Sequence, residues 1–309
     1  MSVIEVDGLV KDYRVGLMKH RIRALNGLGF KVDEGEIVAL LGPNGAGKST
    51  TLRIIFDFIR PTLGEVKVFG SPSGAIDWRK RVGYMPEYFI PSKFIKGRNF
   101  LDMVGKLYNL SDEVIAQRLE KLSNVLDLED LMDRKLGAYS RGMMQKIGLA
   151  QAMLPEPELL VLDEPTANLD ATVRKRFKDF LEEELEHGKT VLISSHVLSE
   201  IEELATRVIF LKDGRVHTEG TIDDLLHPAE VYDIHFHCDP GVIESLKEIS
   251  EISSIGPEVD RMFSIAAKGK ETKDRAVKTI VESGGAILHL ALQTESLENV
   301  FIDIMGIKQ

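Results

Sequence analysis

Short, almost wholly apolar runs alternate with amphipathic stretches through much of the first 220 residues. The runs at 37–41, 159–162 and 190–194 place apolar side chains on both faces of a strand, whereas residues 171–187 and 198–205 have helical spacing. Strands that are apolar on both faces are typical of parallel sheets buried beneath helices. The alternation therefore predicts an α/β fold with a parallel sheet covered on both faces.

Two other segments have a different texture. At the amino-terminal end, short β-rich stretches at 4–6, 21–25 and 28–32 are separated by turns. Between about 88 and 154, apolar side chains recur at three- and four-residue spacing, with Lys, Glu and Arg between them. This spacing predicts a mostly helical insert.

The pattern changes again beyond residue 220, where short strands and helices alternate in a new order. In chain order we predict a strand at 231–237, a helix at 240–249, strands at 252–255 and 262–267, a helix at 271–283, a strand at 286–291 and a last helix at 295–304. The order βαββαβ indicates a small α+β domain of the ferredoxin-like type. With a boundary near the loop 226–228, the predicted domains are residues 1–220 and 221–309.

Composition narrows the class of protein. The chain has 309 residues and a formal net charge of −10, which disfavours a general nucleic-acid binder because such proteins carry a basic excess. Its single cysteine, Cys238, cannot form an internal disulfide and fits a reducing compartment. No run approaches the roughly 20 apolar residues of a membrane span, and the amino terminus lacks a signal-peptide pattern. We therefore expect a cytoplasmic protein that reaches a membrane only through a partner.

The stretch GPNGAGKST at 42–50 joins the first apolar run to a segment of helical spacing, and it satisfies G-x-x-x-x-G-K-[ST]. Glycines let several backbone N–H groups converge on one point, and the following helix adds the positive end of its dipole. We expect Lys48 to reach the β- and γ-phosphate oxygens of a nucleotide and Ser49 to bind Mg²⁺. The predicted nucleotide contacts here are Gly42, Pro43, Asn44, Gly45, Ala46, Gly47, Lys48, Ser49 and Thr50.

An acidic pair, Asp163 and Glu164, ends the second apolar run. A carboxylate at the tip of a buried strand beside the phosphate loop is placed to hold Mg²⁺, and its neighbour can polarise an attacking water. We assign metal binding to Asp163 and the catalytic role to Glu164. A base-recognition motif of the N-K-x-D kind is absent, which favours ATP over GTP.

Taken together, these residues resemble the ATPase subunit of ABC transporters. GPNGAGKST is similar to that family's Walker A motif, LLVLDEP at 159–165 to its Walker B motif, ANLD at 167–170 to its D-loop, and SSH at 194–196 to its switch-histidine segment. The resemblance implies a P-loop NTPase fold, with a RecA-like core, an antiparallel β subdomain and the inserted helical subdomain. It also implies a catalytic role for His196.

The family's signature, usually LSGGQ, is altered here to Tyr139-Ser140-Arg141-Gly142-Met143. Ser140 and Gly142 can still offer a hydroxyl and an N–H group to a γ-phosphate at a helix N-terminus, and Arg141 adds a guanidinium. Met143 replaces a glutamine, so the usual sugar contact from that position is not expected. We include Ser140, Arg141 and Gly142 among the nucleotide contacts.

Two further positions are assigned by resemblance. Glu87 lies where the family commonly has the Q-loop glutamine, and a carboxylate there can bind Mg²⁺ or orient water. Tyr13 lies where the family places an aromatic residue that stacks on adenine. An ordinary core or surface role is the alternative for Tyr13.

The resemblance also predicts the partners. In the family, the signature of one subunit closes over the Walker A nucleotide of the other, so we expect an ATP-bound dimer with C2 symmetry, in which the γ-phosphate bridges Lys48 and Ser140. The helical insert, hinged near Glu87, is expected to act on an integral membrane permease at the inner face of the membrane. The altered motifs are similar to those of single-cassette ATPases of drug, antibiotic or polysaccharide exporters.

Two other functions compete with this one. A soluble ABC ATPase that acts on ribosomes or DNA is disfavoured by the single cassette, by the acidic charge and by the lack of sustained heptads between Lys48 and Ser140. A nucleotide-binding regulator without turnover would be indicated by loss of Glu164 or His196, and both are present. No nucleic-acid partner is expected.

Residues 221–309 contain no catalytic motif that we identify. His235, His237 and Cys238 alternate along one predicted strand and suggest a metal site, but a second pair of ligands at suitable spacing is missing. We prefer a regulatory or dimer-stabilising module. Its last helix, at 296–301, resembles the ending of the same exporter-type ATPases.

Overall fold

The computed structural model describes residues 1–15, 20–226, 228–249, 251–255, 261–294 and 296–305 of the chain. They form two compact units, Met1–Ile222 and Asp223–Gln309. Residue 227 of the predicted boundary loop and residue 295 of the last predicted helix lie outside the described residues. None of the helices among the described residues is long and apolar enough to cross a bilayer.

The first unit contains a largely parallel sheet and an antiparallel sheet. Its strands are β1 (Ser2–Val15), β2 (His20–Asp33), β3 (Ile37–Leu41), β4 (Leu63–Val68), β5 (Ser71–Pro72), β6 (Val82–Met85), β7 (Leu159–Asp163), β8 (Thr190–Ser194), β9 (Arg207–Lys212) and β10 (Arg215–Thr221). The larger sheet has the order β10-β9-β3-β8-β7-β6, in which β10 alone of these strands pairs antiparallel. The other has the order β2-β1-β4-β5 and is antiparallel throughout. The predicted parallel core and antiparallel β subdomain are confirmed.

Helices cover the parallel sheet and form the insert. They are α1 (Lys48–Ile55), α2 (Gly97–Leu107), α3 (Asp112–Leu126), α4 (Arg141–Met153), α5 (Ala171–Glu186) and α6 (Leu198–Leu204), and a short α7 (Ile222–Leu225) begins at the end of the unit. The insert is helical as predicted and comprises α2, α3 and α4. Local capping sets where some helices begin: the side chains of Ser111 and Asp170 accept hydrogen bonds from backbone N–H groups of α3 and α5.

The all-apolar runs become the centre of the first unit. Every residue of β3, β7 and β8 is buried, including the polar residues at the strand ends. Burial on both faces explains why these strands lack the polar alternation of β2, whose carboxyl half alternates buried and exposed positions. The core strands therefore hold their carboxyl ends in fixed positions.

The second unit is a single antiparallel sheet with helices. Its elements are β11 (Pro228–His237), α8 (Val242–Lys247), β12 (Ile252–Ile255), β13 (Met262–Lys268), α9 (Lys270–Glu282), β14 (Ala286–Thr294) and α10 (Leu297–Met305). The strand order β12-β13-β11-β14, with every pair antiparallel, is the arrangement that a ferredoxin-like βαββαβ chain produces. Ile234 and Phe236 of β11 point into its apolar core.

The alternative metal site on β11 has the wrong geometry. His235 and His237 are exposed, whereas Cys238 is buried with 2% of its surface accessible. Successive side chains of an extended chain point to opposite faces, so the thiol and the imidazoles diverge. Among the described residues, no group of three or more His, Cys, Asp or Glu side chains is arranged to hold a metal ion.

Candidate active site

The predicted site lies at one edge of the parallel sheet. Strand β8 lies between β3 and β7, so that Ser194 pairs with Leu40 on one side and with Asp163 on the other. The chain segments that leave β3, β6, β7 and β8 therefore emerge together, and such an edge is where parallel α/β sheets bind ligands. These segments carry the Walker A loop, Glu87, Glu164 and His196.

The loop from Gly42 to Lys48 depends on its glycines. Gly42, Gly45 and Gly47 have φ angles of 149°, 87° and 108°. A Cβ atom at Gly42 would lie 2.4 Å from the carbonyl oxygen of Leu211, and one at Gly47 would lie 2.5 Å from Cδ2 of Leu25. Glycine is thus required at Gly42 by space as well as by backbone conformation, and at Gly47 above all by backbone conformation.

The remaining loop residues line the start of α1. Pro43 is half-buried and accepts a hydrogen bond of 3.1 Å from the N–H of Ala46, which closes the turn, while Asn44 is exposed. Ser49 and Thr50 are half-buried in the first turn of α1. The N-terminus of this helix therefore directs its free N–H groups into the loop, as an anion site requires.

Lys48 is buried, with 8% of its surface exposed, and its Nζ donates a hydrogen bond of 2.6 Å to the carbonyl oxygen of Gly42. Burial lowers the pKa of Lys48, while the negative charges of Glu164, Asp163 and Glu87 oppose that shift. The ammonium is therefore held against the loop within the field of three carboxylates.

Asp163 is 4% exposed at the end of β7. Its carboxylate accepts a hydrogen bond from the Ser194 hydroxyl, and the Ser49 hydroxyl lies nearby. Burial raises the pKa of Asp163, and the Ser194 hydrogen bond, the Ser49 hydroxyl and the charge of Lys48 partly oppose the shift. The carboxylate, the two hydroxyls and the ammonium thus lie in one polar cluster beside the loop.

Glu164 has a left-handed backbone conformation, with φ of 53°. Its N–H donates to the carbonyl oxygen of Ser194 at 3.0 Å and to the Ser194 hydroxyl at 3.2 Å. Its Oε2 atom lies 2.7 Å from Nδ1 of His196, whose side chain is 60% exposed. Burial raises the pKa of Glu164, and the hydrogen bond with His196 works against that rise. The predicted catalytic pair is in direct contact.

Of the residues assigned by resemblance, Glu87 lies near this cluster, whereas Tyr13 lies in the antiparallel sheet. Glu87 follows β6, is exposed, and acts through its charge on Lys48 and Asp163. Tyr13 lies on β1, half-buried, and its ring centroid is 5.3 Å from Nζ of Lys11. The adenine contact of Tyr13 remains a prediction.

The altered signature forms the start of α4. The Ser140 hydroxyl caps the helix by accepting from the N–H of Met143 at 3.3 Å, and the Met143 sulfur lies 3.3 Å from the N–H of Ser140. Met143 thus completes a capping box in which its thioether replaces the usual carboxylate or amide. Ser140 and Arg141 are exposed, and Gly142 is half-buried. A Cβ atom at Gly142 would lie 2.6 Å from the carbonyl oxygen of Asn168 in the D-loop segment.

Two residues that sequence reasoning missed hold the site together. Ser194 bonds both Asp163 and the backbone of Glu164. Gln145 on α4 is 7% exposed and donates from Nε2 to the carbonyl oxygens of Glu164 and Pro165, at 2.8 and 2.7 Å. Ser194 carries a weak sequence signal, since it is a hydroxyl at the end of an apolar strand. Gln145 carries none, because its partner lies 19 positions away.

Comparisons with known proteins agree with this geometry. The sequence profile of the ABC transporter family matches residues 25–167. An uncharacterized ABC transporter ATP-binding protein of Nostoc sp. is 33% identical over 305 residues, which cover 98% of this chain and 89% of the relative. The Nod factor export ATP-binding protein I of Rhizobium sp. is 33% identical over 314 residues, covering 99% of this chain and 98% of the relative.

A solved structure agrees as well. The dimeric structure of an ATP-binding cassette in a post-hydrolysis state, bound to ADP and Pi, has a TM-score of 0.64 and 26% identity, and the match covers 71% of this chain and 98% of that chain. That match is about as long as the first unit, whereas both relatives match along nearly the whole chain. The chain therefore belongs to the family of ABC transporter ATP-binding subunits, and it is an ATPase.

Proposed function

We propose that two copies of this chain enclose two MgATP molecules, and that hydrolysis at Glu164 separates them and drives a membrane exporter. The observation that carries the proposal is the convergence of Lys48, Asp163, Glu164 and His196 at one edge of the parallel sheet. Nδ1 of His196 lies 2.7 Å from Oε2 of Glu164, and the charges of both acids act on the buried Lys48. A phosphate-binding cation and a carboxylate able to orient water share one site.

The phosphates would be held by the loop that only glycine can form. Backbone N–H groups at the start of α1 and the ammonium of Lys48 offer positive charge to the β- and γ-phosphates. The close approach of Gly42 to the Leu211 carbonyl leaves no space for a side chain behind the loop. We expect the phosphate-binding shape of the loop to be formed before ATP binds.

The polar cluster beside the loop fits Mg²⁺ by the chemistry of its oxygen atoms. The Ser49 hydroxyl lies close enough to Asp163 to lower the pKa of that carboxylate, and Glu87 adds a nearby negative charge. Mg²⁺ prefers such oxygen ligands and commonly keeps several of its waters. We assign Ser49 and Asp163 as ligands, and Glu87 as a ligand or a water-orienting group. Bound Mg²⁺ would offset the charge that develops on the transferred phosphoryl group.

Glu164 would orient the attacking water by accepting a hydrogen bond from it. Its pKa is raised by burial, and a carboxylate of raised pKa is the stronger general base. His196 holds this carboxylate through Nδ1, and its exposed ring can reach toward a γ-phosphate. The Ser194 hydroxyl and carbonyl hold the backbone of Glu164 at the same time. The base is therefore positioned before substrate binds.

The second copy would supply the signature. Ser140 and Arg141 are exposed at the start of α4, so their side chains and the helix N-terminus are accessible to the γ-phosphate bound by a partner. One chain carries one loop and one signature, so a C2 pair builds two equivalent sites. Hydrolysis of ATP releases the γ-phosphate that bridges Lys48 of one copy and Ser140 of the other, so the two copies can separate.

Transport itself would require an integral membrane permease, which the helical insert contacts from the cytoplasmic side of the membrane. The support for export is the relationship to the Nod factor export ATP-binding protein, which matches along nearly its whole length. The cargo class would be set by the permease, since a nucleotide site does not select cargo.

A trapping experiment tests the proposal. Glu164→Gln removes the base and keeps a side chain of the same size, so the variant should bind ATP and lose hydrolysis by roughly a hundredfold or more. In sedimentation velocity with ATP and Mg²⁺ we expect a stable dimer, and a monomer without nucleotide. The double variant Lys48→Ala, Glu164→Gln should stay monomeric in ATP because the phosphate grip is lost. A Glu164→Gln protein that binds ATP but remains monomeric at every concentration would contradict the dimer.

A further inference from the structure

The first turns of α4 are attached to the catalytic segment by a buried amide. Gln145 lies five residues after Ser140, and its Nε2 donates to the carbonyl oxygens of both Glu164 and Pro165, at 2.8 and 2.7 Å. The side chain is buried, with 7% of the residue exposed. Both N–H bonds of one amide are therefore used on two successive peptide groups of the Walker B turn.

These bonds hold a backbone conformation that is unfavourable for a residue with a side chain. Glu164 has a φ of 53°, a left-handed conformation that is uncommon for a residue with a side chain. Its N–H is held by Ser194 of β8, and its carbonyl oxygen is held by Gln145 of α4. The sheet therefore holds the peptide group before the Glu164 Cα, and the signature helix holds the peptide group after it.

Two more contacts join α4 to the segment after Glu164. The backbone of Gly142 lies so close to the Asn168 carbonyl that a Cβ atom would come within 2.6 Å of it. Nζ of Lys146 lies 3.7 Å from Asp170, which caps α5. Because these contacts and those of Gln145 lie within the first two turns of one helix, a shift of the helix N-terminus moves them together.

We propose that Gln145 is a positioning residue that couples the two ATP sites of the dimer. When the γ-phosphate bound by the partner contacts Ser140, the position of α4 becomes fixed. Gln145 then holds the backbone of Glu164 in the same chain. Hydrolysis at one site then depends on occupancy of the other. The inference rests on the proposed function, because it requires Ser140 to contact the partner's nucleotide.

The same helix provides a matched control. Gln151 lies further along α4, and its Nε2 donates to the carbonyl oxygen of Tyr84 at 2.6 Å. Gln145→Met and Gln151→Met each remove an amide donor from the same helix and leave a side chain of similar length. They differ in that only Gln145 reaches the Glu164 turn.

The test is steady-state ATP hydrolysis by the full-length variants across a range of ATP concentrations. For the unaltered protein we expect a Hill coefficient above 1 and at most 2, since the dimer has two sites. Gln145→Met should lower kcat by about tenfold, with KM changed less than about twofold, and bring the Hill coefficient to 1. Gln151→Met should keep the Hill coefficient of the unaltered protein. Equal effects of the two substitutions, or a Hill coefficient of 1 in the unaltered protein, would overturn the inference.

Two further measurements distinguish a loss of coupling from a folding defect and from a loss of dimerisation. Should Gln145→Met fail to fold, Gln145→Asn retains an amide but withdraws it by about 1.5 Å, and it should give the same loss of cooperativity. Adding Gln145→Met to Glu164→Gln should leave ATP-dependent dimers in sedimentation, because Lys48 and Ser140 are intact. If the double variant forms dimers and Gln145→Met keeps its cooperativity, only the proposed coupling is contradicted. If Glu164→Gln itself forms no dimers, the proposed function is contradicted.

Discussion

The two units of the chain use their sheets differently. In the first unit, parallel strands β3, β7 and β8 end at one edge, and the loops that leave them bring Lys48, Glu164 and His196 together. In the second unit every strand pair is antiparallel, so neighbouring strands end at opposite edges. The comparison teaches that parallel topology gathers residues that are far apart in sequence, while antiparallel topology spreads its polar residues over a face.

The two units also differ in the polar side chains that they bury. Within the described residues, buried charged side chains are found in the first unit, where Lys48 and Asp163 are 8% and 4% exposed. The buried polar residue of the second unit is the uncharged Thr272. Because burying charge is costly unless partners offset it, its presence in the first unit indicates a site maintained for chemistry.

The largest predicted effect comes from filling the space behind the phosphate loop. Gly42→Ala places a Cβ atom 2.4 Å from the Leu211 carbonyl oxygen and also strains a backbone with φ of 149°. We expect it to lower the free energy of unfolding of the first unit by about 2–5 kcal/mol and to weaken ATP binding at least about tenfold. Differential scanning calorimetry and isothermal titration of ATP would measure the two effects.

A glycine of the second unit gives the control. Gly284 has a φ of 79°, and an added Cβ would meet nothing within 4 Å, so Gly284→Ala should cost about 1–2 kcal/mol and leave ATP affinity unchanged. Equal losses from both substitutions would mean that the phosphate loop relaxes around a methyl group. The contrast between a rigid site and an ordinary turn would then disappear.

The first unit could be predicted from sequence further than the second, for a physical reason. Strands buried on both faces are largely apolar, so the sequence pattern predicts a strand at residues 190–194, where β8 is observed. The helix predicted at 240–249 is shorter, with α8 from Val242 to Lys247. There the N–H groups of Val242 and Ile243 bond three residues back, to Asp239 and Pro240, so the segment begins as a tight turn.

The residues of the site also differ in how far the sequence alone predicts them. Lys48, Asp163 and Glu164 follow from local motifs, because the loop and the strand end carry their chemistry within a few residues. Gln145 and Ser194 act on groups 19 and 31 positions away, and only the packed fold brings those groups within reach. A buried amide on a helix has no local pattern that distinguishes it from an exposed one.

A smaller effect is expected from removing a buried charge. Burial raises the pKa of Asp163, so the folded state binds its proton more tightly than the unfolded state does. The ionised carboxylate therefore destabilises the fold, and this cost grows as pH rises above the usual value of 3.8 until the folded-state pKa is passed. Asp163→Asn should raise the stability of the first unit by roughly 1 kcal/mol at pH 7, with little effect near pH 3.5, while ATP hydrolysis is lost.

An exposed carboxylate of the second unit should not behave this way. Asp274 lies 2.8 Å from Nζ of Lys273 and raises the pKa of that lysine, a stabilising interaction that persists at neutral pH and is lost as pH rises through the raised lysine pKa. Asp274→Asn should therefore give no gain in stability at pH 7. Thermal unfolding at pH 3.5 and pH 7 compares the two variants, and a gain from both would remove the distinction between a buried functional charge and a surface pair.

The smallest predicted effect is that of bound ATP on the opening of the second unit. Cys238 is the single cysteine and is 2% exposed, so a thiol reagent reaches it only when the second unit opens, and the labelling rate measures that opening. ATP at a thousandfold excess over its Kd raises the free energy of unfolding of the unit that binds it by about 4.1 kcal/mol. If the two units opened together, the same stabilisation would slow labelling of Cys238 about a thousandfold. Because the second unit has its own apolar core, and because a regulatory or dimer-stabilising module needs some linkage, we expect ATP to slow labelling of Glu164→Gln only about fivefold. An unchanged rate would confine the nucleotide's influence to the first unit, and a slowing near a thousandfold would show that the two units unfold as one.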